Sequence, residues 1–437
     1  FGEHSLNGLV GQEWYERHRR SSELQMYDQN TPGERNVGGF AHQGTKRDQS
    51  TIPTGDEAES ASFSVFSEVN YNYAGKYMAS ASFRTDGSTN FGKNNRYGIF
   101  WALSASWLVS QERFMEKQHV FSNLKARFSY GTSGKEAGAD YLNYTLYRTG
   151  MTTFDYYWNH PAYQSTYAAE LNQLGNDNLS WETAHNLNIG VDMGFLGNRI
   201  ALSADWYRRL STDLIMQVTL PVAYGVGTQY QNVGEMLNRG VELVLNTHNV
   251  KSQDFNWRST FTFSYNDNKL KKLQDSKLDW DGGRTTLYEG DNIDVLKLVK
   301  YAGVDAETGN PLLERVEENG SIKLVNTVYE ATSGNEQLSY VDCGLRRAPY
   351  WGGFTNTFSY KNWELYVHTT YAFGFKVSDG ISREYASGRR WLSSNKRKLP
   401  SDLKVWKKAG DHADIPMQSC DQAIRWDLSN GTSFGYV

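Results

Sequence analysis

The chain has 437 residues, with 45 Lys and Arg against 49 Asp and Glu for a net charge of −4. That balance excludes a dedicated nucleic-acid binder, and two cysteines exclude a disulfide framework or a Cys-based zinc module. The 13 Trp, 28 Tyr and 20 Phe, beside 40 Gly and 8 Pro, suit a large β-architecture better than a Leu-rich enzyme core. No run reaches the roughly 20 apolar residues of a membrane-spanning helix: serines break the densest stretch, 97–110, and Pro221, Gly225 and Gly227 interrupt the longer uncharged stretch 214–234. Phe1 is not an initiator, so the sequence reads as a processed chain or a piece of a longer one.

Two-residue alternation dominates, and it predicts strands from the N-terminus onward. The first lies near 4–14. In the second, near 62–73, Phe63, Val65, Val69, Tyr71 and Tyr73 share one face, while Ser64, Glu68, Asn70 and Asn72 share the other. After Ala74-Gly75-Lys76 the pattern resumes over 77–84, with Tyr77, Ala79, Ala81 and Phe83 against Ser80, Ser82 and Arg84. Strands follow near 98–107, 124–131, 184–195, 200–208, 240–248, 257–265, 351–360, 363–373 and 431–437. In 124–131, Leu124, Ala126, Phe128 and Tyr130 oppose Lys125, Arg127 and Ser129.

The connections alternate in length. Those at 74–76, 196–199, 249–256 and 361–362 are short; those at 15–61, 85–97, 132–183, 209–239, 266–350 and 374–430 are long, and 108–123 falls between. Short turns at one end and long loops at the other mark an outer-membrane barrel. About ten residues at roughly 3.3 Å each, tilted about 45°, span about 24 Å of bilayer. Aromatics such as Tyr71, Tyr77, Trp101, Trp107, Trp363 and Tyr371 crowd the strand ends, as interfacial girdles require. A soluble sandwich or propeller shares the alternation but not this asymmetry. The predicted fold is therefore all-β, an antiparallel transmembrane β-barrel in the cell outer membrane.

Several segments resemble the SusC/RagA family of TonB-dependent outer-membrane transporters. The strongest is 81–114, with Arg84, Asp86-Gly87-Ser88, Phe91-Gly92, Asn95-Arg96-Tyr97-Gly98, Ser104-Ala105-Ser106-Trp107 and Glu112-Arg113-Phe114. In the family's order follow 124–131, 176–195, Asn232-Val233-Gly234-Glu235 with Asn238-Arg239-Gly240-Val241-Glu242, Gly303-Val304-Asp305 with Thr308-Gly309-Asn310-Pro311, and 352–358. Each motif also has a plain structural role. Asp86-Gly87 starts a turn, Arg96 is expected to pair with Asp86, and Gly352-Gly353 opens a strand where backbones approach closely.

The resemblance implies energised import of a bulky nutrient, an oligosaccharide or an oligopeptide, with a SusD-like surface lipoprotein as lid and TonB on the periplasmic side. It also implies a plug and further strands, since large plugged transporters close at about 22 strands. Residues 1–437 are thus expected to be the C-terminal part of the barrel, a partial wall, with the plug absent from this chain. A passive channel lacking a plug is the alternative, and a soluble glycan-binding β-protein a third.

No catalytic constellation, metal spacing or cofactor motif emerges. Gly131-Thr132-Ser133-Gly134-Lys135 superficially suggests a phosphate loop, but Ser129 stands where its first Gly is needed and Glu136 where Ser or Thr is. The candidate substrate contacts are Tyr156, Tyr157 and Trp158 in the aromatic-rich loop 141–167, most of whose rings are expected to pack on one another. Lys125, Arg127, Glu242, Arg258, Glu364 and His368 are expected to line the lumen or face the plug, with a solvated wall as the default. Cys343 and Cys420 fall in extracellular loops. Two loop positions come within bonding reach only by design, so a bridge between them is the less favoured outcome.

Overall fold

The computed structural model describes residues 2–23, 26–29, 40–43, 54–149, 169–274, 277–280, 285–333, 336–377 and 404–417. Eleven strands form one sheet and pair strictly in sequence order. They are β1 (His4–Glu23), β2 (Thr54–Tyr73), β3 (Tyr77–Ser88), β4 (Tyr97–Leu108), β5 (Phe121–Lys135), β6 (Glu182–Phe195), β7 (Ile200–Thr219), β8 (Thr228–Lys251), β9 (Phe255–Lys272), β10 (Tyr350–Tyr360) and β11 (Trp363–Phe373). The pairing is antiparallel in β1–β2, β2–β3, β8–β9, β9–β10 and β10–β11. Each corresponds to one of the predicted strands; the last prediction, 431–437, lies outside the described residues.

The strands are longer than the alternation suggested. β1, β2 and β7 have 20 residues each and β8 has 24, where a tilted span needs about 9–11. In β1 and β2 the excess is mostly polar on both faces, as in Glu16-Arg17-His18-Arg19-Arg20, so periodicity could not reveal it. Register holds it instead: His18 faces Glu59, and Arg19 faces Ala58, across the ladder. In β7 and β8 the excess carries Ile215 and Tyr230, which pack into a core beyond the regular alternation. Residues 131–135, the superficial phosphate loop, simply continue β5.

The short connections are tight. Ala74 and Gly75 take φ of 53° and 70°, Leu196, Gly197 and Asn198 are all positive, and Lys361 has φ 51°. In the first of these turns Asn72 Oδ1 accepts the Gly75 amide at 2.9 Å. The intermediate connection holds two short 3-10 turns, Val109–Gln111 and Arg113–Met115. There Trp107 Nε1 donates to Glu112 Oε1 at 3.1 Å, which accounts for the Trp-to-Glu spacing of that motif.

The long connections carry structure of their own. Hairpins pair Met26–Gln29 with Phe40–Gln43, Leu146–Thr149 with Ala169–Gln173, and Lys277–Trp280 with Thr285–Tyr288. Val295–Val299 pairs with Tyr340–Leu345, and Tyr301–Val304, Pro311–Val316 and Ile322–Val325 form a small sheet. Cys343 sits half-buried on Tyr340–Leu345; Cys420 lies outside the described residues, and with it any bridge between the two.

Contacts divide the chain into two compact units: Phe1–Ser106, Ser129–Asn186 and Ser211–Val233, and Trp107–Phe128, Leu187–Leu210 and Gly234–Val437. The first packs Phe91, Leu142 and Leu179 with Trp181, Ile215 and Tyr230. The second buries Val299, Leu313 and Ala331 among its loop strands. Neither core lies under the strand faces that the alternation marked as apolar. On β3, Tyr77, Ala79, Ala81 and Phe83 are exposed while Met78, Ser80, Ser82 and Arg84 are less so. Val10 is 79% and Trp14 72% exposed on β1. A contiguous face of exposed large apolar groups requires a covering partner. Lipid supplies it. Among the described residues no helix is long and apolar enough to cross a membrane.

Candidate functional site

The face opposite this apolar one is polar, and ion pairs organise it. Arg127 projects from β5 and grips two carboxylates on the next two strands. Its Nε and Nη2 donate to Asp192 Oδ2 and Oδ1, and its Nη1 and Nη2 donate to Asp205 Oδ1 and Oδ2, all at 2.9 Å. Ser203 Oγ accepts from Nη2 at 3.1 Å and donates to Asp192 at 2.7 Å. The planar guanidinium fork matches carboxylates in this two-ended way, which a lysine cannot do. Gly190 lets the group close: a Cβ there would stand 2.4 Å from Asp205 Oδ1 and 2.7 Å from Arg127 Cζ. Lys125, two residues before Arg127 and on the same face, lies within electrostatic reach of Asp192.

The other polar-face candidates are spread along the wall. Glu242 on β8 faces Ser264, and Arg258 on β9 faces His248. Those rungs are six residues apart, about 20 Å along the ladder. On β11, Glu364 accepts from Ser359 Oγ at 3.4 Å, and His368 Nδ1 lies 2.7 Å from Thr355 Oγ1. The structure thus brings Lys125 and Arg127 together and gathers no single cluster from the remainder.

One pairing differs from expectation. Asp86 is held by Arg84 Nε at 2.5 Å, and Arg84 also reaches Glu13 at 3.1 Å and Ser64 Oγ at 2.9 Å. Arg84 and Asp86 are two apart on one strand and so share a face, whereas Arg96 precedes β4 and offers its carbonyl to Trp181 Nε1. Sequence reasoning also missed Asp205 and Glu13, although alternation alone puts Asp205 opposite Leu202, Ala204 and Trp206. Tyr156, Tyr157 and Trp158 lie outside the described residues. Of their loop, Tyr141 and Tyr144 pack edge to face at 6.0 Å, and the Tyr141 hydroxyl accepts the Glu59 amide at 2.8 Å.

The family-like motifs prove to be joints. Asn232 clamps Ser180 reciprocally, accepting its amide and donating to its carbonyl, both at 2.8 Å. Gly92 has no room for a Cβ, which would lie 2.1 Å from the Asp177 carbonyl oxygen. In the loop region outside the membrane, the Asp305 carboxylate accepts the amides of Glu307 and Thr308 at 2.8 and 3.1 Å. The Thr308 and Glu307 bonds hold it below the usual carboxylate range. Burial, then the charge of Asp414, pushes the Tyr301 phenol well up.

Comparison with known proteins agrees with this architecture. The family described as "TonB dependent receptor-like, beta-barrel" matches residues 1–377. TonB-dependent receptor P3 of Formosa agariphila is 30% identical over 365 residues, covering 81% of this chain and 35% of that protein. TonB-dependent receptor SusC of Bacteroides thetaiotaomicron is 29% identical over 310 residues, covering 69% and 30%. The chain therefore spans about a third of the length of these relatives. The solved structure of the RagAB peptide transporter superposes with a TM-score of 0.75 at 24% identity, over 95% of this chain and 44% of that one, a likeness of fold. The eleven-stranded sheet is part of the wall of such a barrel, and the chain belongs to the TonB-dependent receptor β-barrel family as a SusC/RagA-like member of the outer membrane.

Proposed function

We propose that this chain is the C-terminal part of the barrel of a TonB-dependent importer that carries oligosaccharides, or oligopeptides, across the outer membrane. The observation that carries the reading is the division of the sheet. One face presents exposed apolar and aromatic groups suited to lipid, and the other is polar and held by charge networks such as Arg127 with Asp192 and Asp205. A lumen needs that second face. Lys125, Arg127, Glu242, Arg258, Glu364 and His368 then line the passage or meet the plug, and Tyr156, Tyr157 and Trp158 contact substrate on the extracellular side. The plug and the TonB-binding segment come from sequence outside these 437 residues, and a SusD-like lipoprotein closes the mouth. Membership of a receptor and transporter family gives no support to an enzyme.

The test is uptake by cells carrying the full-length receptor, with and without TonB, of labelled oligosaccharides and oligopeptides. Import that requires both receptor and TonB is expected. Import that persists without TonB would identify a passive channel instead.

A further inference from the structure

The first unit contains a cavity of about 710 Å³ on the polar face, bounded by β1 to β5 and Trp181. That is the size of a small-molecule or oligomer subsite. Its height can be read from register. Ser64 pairs with Asp86 and with Glu13, nine residues along β2 from Tyr73 at the short-turn end. Nine tilted residues rise about 20 Å, most of the roughly 25 Å apolar band of an outer-membrane barrel. On the opposite face at that level, Trp14 and Phe63 meet edge to face at 6.3 Å, as an outer aromatic girdle does. The cavity therefore opens at the extracellular end of the wall.

The chemistry of its lining is selective. Among the described lining residues Arg84 is the only cation. Its guanidinium is already engaged by Glu13, Asp86 and Ser64 and lies 5.4 Å from the centre of the Phe66 ring. Glu136 is fixed by hydrogen bonds from Ser88 Oγ and, at 3.1 Å, Asn90 Nδ2. Three carboxylates thus face one committed guanidinium, beside Ser62, Ser82, Thr132 and Ser133 and the rings of Phe100, Trp101 and Trp181. The Thr132 and Ser133 hydroxyls also accept the Trp101 amide and Asn186 Nδ2. Ionised carboxylates only accept hydrogen bonds and hydroxyls do either. Such a surface matches a ligand rich in O–H donors, repels an anion, and offers few donors to peptide carbonyls. Tyr15, 55% exposed, adds a ring against which the C–H face of a sugar can lie.

We infer that this cavity is a subsite for neutral oligosaccharides at the extracellular end of the lumen, discriminating against anionic glycans and peptides. The inference rests on the import reading above. It is tested on the purified full-length receptor by calorimetric titration with malto-, cello-, xylo- and manno-oligosaccharides, with oligogalacturonate as the anionic probe and a casein tryptic digest as the peptide probe. Folding of each variant is verified by heat-modifiable migration. Ser133→Trp, which fills the cavity from an exposed position, is expected to weaken binding of the preferred neutral series by at least about tenfold. Glu136→Gln keeps the shape and removes one charged acceptor, and is expected to cost about tenfold. Thr370→Trp, on the same face of β11, should leave affinity unchanged.

Unaltered binding by Ser133→Trp would overturn the subsite while TonB-dependent uptake by the receptor, measured separately, still upheld import. Failure of all four neutral series to bind, or preferential binding of oligogalacturonate or peptides, would overturn the ligand class. Loss of TonB-dependent uptake for every probe would instead count against the import reading itself.

Discussion

At the scale of single residues, Arg127 is the clearest case of a charge that the fold must satisfy. Removing it leaves Asp192 and Asp205 facing one another across neighbouring strands, with side chains 30% and 20% exposed. Breaking a partly buried pair costs more than a surface pair but less than a fully desolvated one. Arg127→Ala is expected to destabilise the folded receptor by about 1–3 kcal/mol, measured by urea unfolding in lipid vesicles. Adding Asp205→Ala should recover part of that loss, and no recovery would show that the two do not act as a unit. Asp305 offers a pH dependence of known sign. Because its folded carboxyl titrates below its ordinary value, its contribution is present above about pH 4 and is lost as pH falls further. Hydrogen exchange at the Glu307 and Thr308 amides, corrected for intrinsic rates, should accelerate only below that point. Acceleration between pH 5 and 7 would contradict it.

At the scale of elements, the faces of β3 predict an asymmetry between adjacent positions. Ala81 lies on the exposed apolar face, and Ser82 lies on the other, opposite Glu68. A lipid-facing Arg near the midplane costs roughly 2–4 kcal/mol. Ala81→Arg should impair assembly of the full receptor, while Ser82→Arg should assemble normally; equal yields of heat-modifiable protein would mean the faces are misassigned. This face pattern was legible in the sequence because lipid on one side and water on the other impose a strict period of two. Where both sides are wet, as in 16–23, the period vanishes and only the partner strand defines the element. The polar face was legible in the same way, but its pairings were not, because Asp192 and Asp205 lie 65 and 78 residues from Arg127. The loop strands were illegible for a further reason: their packing depends on distant segments. Trp406, for example, donates to the Ala306 carbonyl at 2.8 Å and covers Gly309. Trp406→Ala should release 404–417 to limited proteolysis while the receptor stays heat-modifiable.

At the scale of the whole molecule, the decisive quantity is the unpaired backbone at the margins of the sheet. Its order begins at β1 and ends at β11, so among the described residues β1 has β2 as its single neighbour and β11 has β10. Along β11 the side chains of Trp363, Leu365 and Tyr366 are 81%, 59% and 61% exposed. In hydrocarbon each unsatisfied amide or carbonyl costs several kcal/mol. An edge of ten or so membrane-level residues is therefore unsustainable, and barrels exist because closure removes edges. Closing eleven strands on themselves would meet that demand. So would pairing with strands contributed by the rest of a longer receptor, and the superposition on less than half of a solved barrel chain favours this second solution. The expected outcome is that residues 1–437 expressed alone fail to give a heat-modifiable monomer in the outer membrane, whereas the full-length receptor does. Disulfide trapping supplies the positive arm. In the full-length receptor, a cysteine at Val367 should cross-link to a strand outside β1–β10, and efficient cross-linking of Val367→Cys to a cysteine at Val10 would show the eleven strands closed on themselves.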